Sequence, residues 1–196
     1  FLKELDRLNL TDNTLVILTS DNGPVLDDGY QDQAEELVGS HKPAGPYRGW
    51  KMMRYAGGTC IPFIVRWPGV VKPGVSDAFV CQMDLLASLA SLVGQSYPDR
   101  TDSQNTLQTF LGKNRKGRNE LVIEGMLDYA YRQGDWVMIP PYPGENRAYE
   151  LYNIRKDPEQ KNDLSESEPK VLRRMMMRFE ELKRETEREF GIRKNL

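Results

Sequence analysis

The sequence has little of several residue types and patterns, and each shortage narrows the chemistry open to it. A single histidine, His41, limits any metal centre built from imidazole ligands. Two cysteines, Cys60 and Cys81, are too few for a disulfide framework, and no CxxC pair is present. No apolar run approaches the ~20 residues that a membrane helix requires. The net charge of −2 provides no electrostatic case for binding nucleic acid. We therefore predict no nucleic-acid partner and no membrane span in this chain.

The composition is otherwise that of an ordinary globular protein, with 39% apolar and 29% charged residues. A chain of 196 residues is long enough for one domain with a real core and a small second lobe. Its opening residues Phe1, Leu2, Leu5 and Leu8 fall on one helical stripe. We therefore expect the chain to begin inside a structural element, with an N-terminal part of the protein missing from it.

The first part of the chain has the pattern of an α/β domain, which we predict over residues 1–118. Residues 15–18 form a continuous apolar run, typical of a strand buried on both faces of a parallel sheet. A long polar loop follows over residues 24–47, and residues 61–67 predict a second strand. Residues 84–93 have helical spacing, while residues 102–111 are a weaker helix candidate.

The pattern changes after Arg118, and we predict a small C-terminal subdomain over residues 119–196. Short apolar runs separated by turn residues predict an antiparallel meander, with strands at 121–123, 129–131, 136–139 and 150–153. Residues 169–188 predict a long charged helix. One face of that helix is apolar: Val171, Leu172, Met175, Met176, Phe179 and Leu182. The run Met175-Met176-Met177 is interpreted as core filling and not as a cofactor contact.

The first residues with a possible chemical role are Asp21-Asn22-Gly23, at the C-terminal end of the first predicted strand. In open α/β sheets, ligands bind at that end of the strands. A carboxylate beside an amide carbonyl suits a hard cation such as Ca²⁺, whereas Zn²⁺ prefers nitrogen or sulfur ligands. Asp-Asn-Gly is also an ordinary turn sequence, and local chemistry alone favours the turn.

A second group, Arg48-Gly49-Trp50-Lys51, follows a segment rich in glycine and proline. Lys51 is a point charge that can meet a tetrahedral oxyanion, and Arg48 can pair with such an anion or brace the loop. His41, earlier in the same loop, can act as a general acid or contact a sugar. Taken singly, Arg48 and Lys51 are better explained as solvated surface charges than as anion-binding residues. For His41, a functional role and no role are equally favoured.

The order and spacing of the motifs favour a chemical role for these residues over a simple turn and solvated surface charges. Four of them follow one another: Ser20-Asp21-Asn22-Gly23, Arg48-Gly49-Trp50-Lys51, Gly57-Gly58 and Arg66-Trp67-Pro68-Gly69. Further matching segments lie at residues 84–89, 134–136, 150–153 and 157–164. In this combination nearly the whole chain resembles the sulfatase family, in its arylsulfatase-type, formylglycine-dependent form. The loop over residues 40–51 looks most like that of bacterial carbohydrate sulfatases.

The resemblance implies an alkaline-phosphatase-like α/β sandwich, present in part, with a small C-terminal antiparallel sheet and helix. It implies hydrolysis of a sulfuric ester, with a sulfated small molecule or carbohydrate as substrate, in a periplasmic or secreted protein. In the family, a cysteine or serine of a Cys/Ser-x-Pro-x-Arg motif is oxidised to formylglycine. The hydrate of formylglycine attacks sulfur, and a Ca²⁺ ion holds the nucleophile and a sulfate oxygen.

The same resemblance assigns roles to three residues of this sequence, and we expect two further residues to act with them. Asp21 and Asn22 match two of the metal ligands. Lys51 matches the lysine that contacts the sulfate, and it is expected to be catalytic and substrate-binding. His41 is expected to share both roles by touching the sugar or the leaving group, and Arg48 to bind substrate and brace the loop.

The sequence also departs from the family pattern. The nucleophile motif is not found where the family has it, ahead of the other motifs. Cys60 has Pro62 two positions later but Ile64 in place of the arginine, and the single Ser-x-Pro-x-Arg match, Ser96 to Arg100, follows the other motifs. Ala56 stands where the family usually has glutamate, and Cys60 where it usually has arginine. We therefore expect this chain alone to lack the nucleophile and to hydrolyse no sulfate ester.

Two other functions stay open at this point. The first is a non-catalytic sulfatase-like protein that binds carbohydrate or another partner, which the departures at Ala56 and Cys60 slightly favour. The second is a phosphatase or phosphomutase of the same superfamily. Those enzymes typically place a histidine beside the strand-end aspartate and use two transition metals, so Asn22 and the single histidine argue against this alternative.

Overall fold

A computed structural model describes residues 1–98, 101–126, 129–141, 144 and 146–190, the last four of these by their backbone alone. In chain order, its helices and strands are α1 (Leu2–Arg7), β1 (Val16–Thr19), α2 (Ala34–Leu37), β2 (Phe63–Arg66), α3 (Asp84–Leu92), α4 (Leu107–Phe110), β3 (Glu120–Glu124), β4 (Tyr129–Gln133), β5 (Trp136–Ile139), β6 (Glu150–Asn153) and α5 (Pro169–Phe190). They form two compact units. One comprises Phe1–Ser20 with Pro62–Asn119, and the other comprises Asp21–Ile61 with Glu120–Leu196.

In the first unit, β1 and β2 pair in antiparallel register, from Val16 opposite Arg66 to Thr19 opposite Phe63. The neighbouring side chains of Leu18 and Ile64 are 60% and 55% exposed. The prediction of a strand buried on both faces of a parallel sheet is therefore wrong for the described residues. A short apolar run predicts a strand, but it does not specify whether the strand pairs in parallel or antiparallel, or whether both of its faces are buried.

Helix α3 confirms the helix predicted at residues 84–93, and its first residue is part of a buried ion pair. Arg118 donates to Asp84 through both Nε and Nη2, the latter at 2.6 Å from Oδ1. The backbone amide of Gln104 donates to the same carboxylate at 2.8 Å. These hydrogen bonds to the carboxylate of Asp84 offset much of the free-energy cost of burying its charge. The weaker helix candidate at residues 102–111 is helical only over Leu107–Phe110.

The second unit contains a four-stranded antiparallel sheet in the order β3-β4-β5-β6, which confirms the predicted meander. Successive side chains on a strand point to opposite faces, so the sheet separates two apolar clusters. One cluster is built on Tyr131, Met138, Leu151, Met175 and Phe179 and includes side chains of α5. The other joins the opposite sheet face to Tyr55 and Ala56: Ala130, Val137, Ile139, Tyr152 and Ile154. The segment before Ile61 is therefore packed on this sheet.

Helix α5 begins and ends within two residues of the predicted range. All six residues predicted for its apolar face belong to the cluster that contains Met175. Met177 is the exception to the expected core filling, since it is 63% exposed. Residue 177 lies two positions from buried Met175, or about 200° around the helix, and so points away from the sheet.

The chain passes from one unit to the other between Asn119 and Glu120, next to the predicted boundary at residue 118. Residues 21–61 group with the C-terminal sheet, however, and not with the rest of residues 1–118. The two domain ranges stay a prediction about the complete protein. None of the described helices is both long and apolar enough to cross a membrane.

Candidate functional site

Gly23 follows the two expected metal ligands and makes the first close backbone approach of the site. Its amide donates a hydrogen bond to the carbonyl of Gly58 at 2.8 Å. A Cβ atom built on Gly23 would lie 1.8 Å from the carbonyl oxygen of Gly57. Only glycine fits at such a distance, because any side chain would overlap the facing backbone. The glycine of the Asp-Asn-Gly motif is therefore required by packing against the Gly57-Gly58 pair.

The Gly57-Gly58 pair makes the second close approach, to the Arg48-Gly49 peptide. The amide of Gly57 donates to the carbonyl of Arg48 at 2.7 Å. A Cβ atom on Gly57 would lie 2.2 Å from the carbonyl oxygen of Gly49. Three motifs that are separate in the sequence thus meet through their backbones within one unit.

We call the place where these three motifs meet the junction: it comprises Gly23, the Gly57-Gly58 pair and the Arg48-Gly49 peptide. The segment that carries Lys51 is hydrogen-bonded next to it. The backbone amide of Lys51 donates to the carbonyl of Pro24 at 2.9 Å, one residue after Gly23. The residue is half-buried, whereas Asp21 is exposed and Asn22 is half-buried. The backbone therefore brings the segment carrying Lys51 beside the segment carrying the two expected metal ligands. The catalytic role of Lys51 stays a prediction.

Asp21 and Asn22 supply oxygen donors of the kind that a hard cation prefers. The side chain of Asn22 donates through Nδ2 to the carbonyl of Gly23 at 2.8 Å, which fixes the orientation of the amide. Among the described residues, no group of three or more His, Cys, Asp or Glu side chains could hold a metal ion. The two donors fit Ca²⁺ chemically, but they are two of the ~6–8 oxygens in its usual shell.

Arg48 braces its loop, which was one of the two roles that its chemistry suggested. Its guanidinium carbon lies 3.7 Å from the ring centroid of Tyr55. Its Nη1 donates to the backbone carbonyl of Gln160 at 3.0 Å. A cation held over an aromatic ring and hydrogen-bonded at one edge is restrained on both sides. Contact of Arg48 with a substrate stays a prediction.

Gln160 is the residue that sequence reasoning missed. It is fully buried, and its Oε1 accepts a hydrogen bond from the amide of Ala56 at 2.8 Å. Its backbone has φ of 47°, in the left-handed region, and its Nε2 is buried with no hydrogen-bond partner among the described residues. The only sequence signal for a role of Gln160 was its position inside residues 157–164, one of the segments that resemble the family.

His41 lies in the exposed part of the loop after α2, and its backbone amide donates to the carbonyl of Val38 at 3.0 Å. Its catalytic and substrate-binding roles stay a prediction.

Cys60 occupies the position where the family resemblance would place an arginine. Burial raises the pKa of its thiol, and the nearby guanidinium of Arg132 opposes that shift. Burial likewise lowers the pKa of Arg132. The guanidinium of Arg132, from β4, therefore acts electrostatically on the thiol of Cys60. Both cysteines are free thiols.

Comparison with known proteins agrees with this arrangement of motifs. A family model described as sulfatase matches residues 1–95. An N-acetylgalactosamine-6-O-sulfatase of Bacteroides thetaiotaomicron is 43% identical over 197 residues, covering 93% of this chain and 39% of that protein. A steryl-sulfatase of Rattus norvegicus is 36% identical over 125 residues, covering 62% of this chain and 21% of that protein. The chain thus spans about two fifths or less of these relatives.

Solved structures show the same relationship in three dimensions. A sulfatase structure from a study of glycosaminoglycan metabolism by Bacteroides thetaiotaomicron has a TM-score of 0.85 and 43% identity, covering 93% of this chain and 41% of that one. A protein solved with its substrate D-glucosamine-2-N,6-O-disulfate has a TM-score of 0.68 and 21% identity, a likeness of fold alone. The fold is therefore the predicted alkaline-phosphatase-like α/β type, represented in part, with a small C-terminal antiparallel sheet and helix. Motifs, fold and identity agree, and the chain belongs to the sulfatase family.

Proposed function

We propose that this chain forms part of a sulfuric ester hydrolase that acts on sulfated carbohydrate. The observation that carries the proposal is the backbone junction that joins Gly23, Gly57 and Arg48 and holds Lys51 beside Pro24. The 43% identity to an N-acetylgalactosamine-6-O-sulfatase supports a sulfated amino sugar as substrate. Because the chain spans 39% of that relative, the activity belongs to the complete protein.

In this proposal, the ammonium group of Lys51 faces the sulfate. A fixed positive charge there stabilises negative charge that develops on the leaving oxygen or the sulfuryl group. Arg48 keeps the loop rigid through Tyr55 and Gln160, so the lysine is positioned before substrate binds. His41 contacts the sugar or the leaving group.

Asp21 and Asn22 would hold a Ca²⁺ ion together with ligands outside this chain. Such an ion neutralises charge on a sulfate oxygen and orients the nucleophile. We place the nucleophile, a formylglycine by family resemblance, outside the chain as well. The complete protein is proposed to be periplasmic or secreted, also by family resemblance.

The experiment is a comparison of complete proteins that carry Lys51→Ala or a matched control, Lys72→Ala. Lys72 is an exposed lysine of the first unit. Turnover is measured with 4-nitrophenyl sulfate and with 6-sulfated N-acetylgalactosamine in the presence of Ca²⁺. We expect Lys51→Ala to lower kcat about 100-fold or more, as loss of a charge-stabilising donor does, and Lys72→Ala to have no effect. Parent-like turnover by Lys51→Ala would exclude the assigned role.

A second candidate is a non-catalytic sulfatase-like protein that binds sulfated carbohydrate. The absence of glutamate at Ala56 and of arginine at Cys60 favours it. Mass spectrometry of the complete protein separates the two candidates. A formylglycine residue supports the hydrolase, and binding of the sulfated sugar without formylglycine or turnover supports the second candidate.

A further inference from the structure

A groove of about 680 Å³ lies between helix α5 and the end of strand β4. Gln133 lines it from the strand, and side chains of α5 line the rest, among them Lys170, Arg173, Arg174, Met177, Arg178 and Glu181. The Nε2 of Gln133 donates to the hydroxyl of Tyr131 at 3.2 Å, and the ring of Tyr131 packs against Phe179 of α5. Tyr55 and Ala56 pack on the opposite face of the same sheet. The sheet therefore stands between the groove and the segment that leads into the junction.

The groove has more positive charge than the fold neutralises. The first half of α5 includes no anion and four cations: Lys170, Arg173, Arg174 and Arg178. Arg178 is neutralised, since it lies 2.8 Å from the carboxylate of Glu120 and 3.3 Å from that of Glu181. The other three cations are exposed, and none of them forms an ion pair within the part of the chain that the structure describes. Their positive charges therefore remain available to an anionic partner.

These three cations lie where they do not help the helix to fold. Lys170 is in the first turn of α5, which has no acidic residue, although the dipole of a helix favours anions at that end. Arg173 and Arg174 follow Lys170 at positions i+3 and i+4, where like charges on a helix repel each other. Helix stability gives no reason for this arrangement. The binding of a polyanion does, because it would relieve the repulsion.

The shape of the groove and the chemistry of its lining fit a linear polyanion. Successive turns of a helix are about 5.4 Å apart, so the cations are distributed along the groove. The guanidinium groups of Arg173 and Arg174 can pair bidentately with a carboxylate or a tetrahedral oxyanion. Met177, which is 63% exposed, adds an apolar contact for the face of a sugar ring. A membrane surface fits less well, since the apolar face of α5 is buried against the sheet and cannot enter lipid.

We propose that this groove binds a polyanionic glycan chain, at a stretch of the chain other than the sugar that carries the scissile sulfate. Lys170, Arg173 and Arg174 would bind its sulfate or carboxylate groups. The inference rests on the proposed function for the class of partner, since a sulfated carbohydrate is the polyanion that such an enzyme meets. The groove would hold the polymer on the protein and raise the concentration of its sulfated sugars near the sulfate site.

The experiment measures binding of a polymer to the complete protein by calorimetry. The probe is a chain of glucuronic acid and 4-sulfated N-acetylgalactosamine, which lacks the 6-sulfate of the proposed reaction. It is compared with the same polymer after desulfation and reduction of its carboxyl groups, and with polyglutamate of similar length. We expect the anionic glycan to bind at least about tenfold more tightly than the neutral one, and more weakly as salt is raised. Polyglutamate bound as tightly as the anionic glycan would overturn the assignment of a glycan.

The triple variant Lys170→Gln/Arg173→Gln/Arg174→Gln should lower the affinity for the anionic glycan about tenfold or more. Its Tm should equal or exceed that of the parent, because the substitutions remove repulsion within α5. A lower Tm would contradict the inference that these cations serve binding and not folding.

The matched control removes the same charge from three exposed positions of the first unit and should leave the affinity near that of the parent: Lys3→Gln/Lys72→Gln/Lys113→Gln. Equal losses in the two triple variants, parent-like binding by the α5 variant, or undetectable binding by the parent would overturn the groove as a glycan site. Failure of the proposed function would appear separately, as absent hydrolysis of 4-nitrophenyl sulfate by a parent protein that still binds the anionic glycan.

Discussion

The backbone amide of Ala56 donates a hydrogen bond to the side-chain oxygen of Gln160, a residue 104 positions further along the chain. The backbone carbonyl of Gln160 in turn accepts a hydrogen bond from Arg48. One buried glutamine therefore ties the start of the Gly57-Gly58 turn to the arginine of the candidate site. Residue 160 is a positioning residue that the motif itself does not reveal.

Replacing Gln160 with alanine should destabilise the second unit. The variant leaves the buried amide of Ala56 without its acceptor, which costs about 1–3 kcal/mol in the free energy of unfolding. Urea unfolding followed by circular dichroism provides the measurement. Gln108→Ala, at an exposed position of α4, is the matched control and should change stability by less than about 0.5 kcal/mol. Equal effects of the two substitutions would contradict the bracing role.

Replacing Gly57 with alanine should be more damaging than most core substitutions. The new Cβ atom would lie 2.2 Å from the carbonyl oxygen of Gly49 and would separate two segments of the junction. We expect a loss of about 3 kcal/mol or more, beyond ordinary overpacking. Gly74→Ala provides the control, because nothing lies within 4 Å of the Cβ position there. Thermal unfolding of both variants decides the matter, and parent-like stability of Gly57→Ala would refute the close approach.

Removing the carboxylate of Asp21 should weaken binding of Ca²⁺ to the complete protein. The loss of one charged ligand from a shell of ~6–8 oxygens should raise the Kd at least tenfold. Calorimetric titration with Ca²⁺ measures the effect, and Asp28→Ala, an exposed aspartate later in the same loop, is the control. Unchanged affinity in Asp21→Ala would remove Asp21 from the proposed ligands.

The attachment of α5 to the sheet should depend on pH through Glu120. Arg178 donates to its carboxylate at 2.8 Å, and Tyr131 donates at 2.5 Å. The hydrogen bond from Arg178 is the largest cause that lowers the pKa of Glu120 below its ordinary value of 4.5. A depressed folded-state pKa adds stability that is fully present above the unfolded value and is lost as pH falls through the folded one.

The expected loss is about 0.5–1 kcal/mol, since the pair is partly solvent-screened. It should develop as the pH falls below about 4.5. Urea unfolding across that window should show a flatter pH dependence for Glu120→Gln than for the parent. Glu124→Gln, at the exposed end of the same strand, should leave the dependence unchanged. An identical profile for Glu120→Gln and the parent would show that the pair does not couple α5 stability to pH.

Much of the fold was predictable because its elements carry local signals. The alternating strands of the meander and the apolar face of α5 are encoded by spacing within each segment, and both were correct. The candidate site could be predicted only as separate motifs, each ambiguous by itself. Their common order indicated the family, which the comparisons confirmed.

The positions of the strands and helices, and the polar residues that follow them, are encoded in local sequence, because these properties depend on neighbours a few positions apart. The antiparallel pairing of β1 and β2 became apparent only in three dimensions, since strand direction depends on the path of the intervening 43 residues from Ser20 to Pro62. The same holds for the hydrogen bond from Ala56 to Gln160 and for the charge of Arg132, which acts on the thiol of Cys60. Those contacts join segments far apart in the chain, and local residue patterns carry no information about which distant segment will supply a buried acceptor or charge.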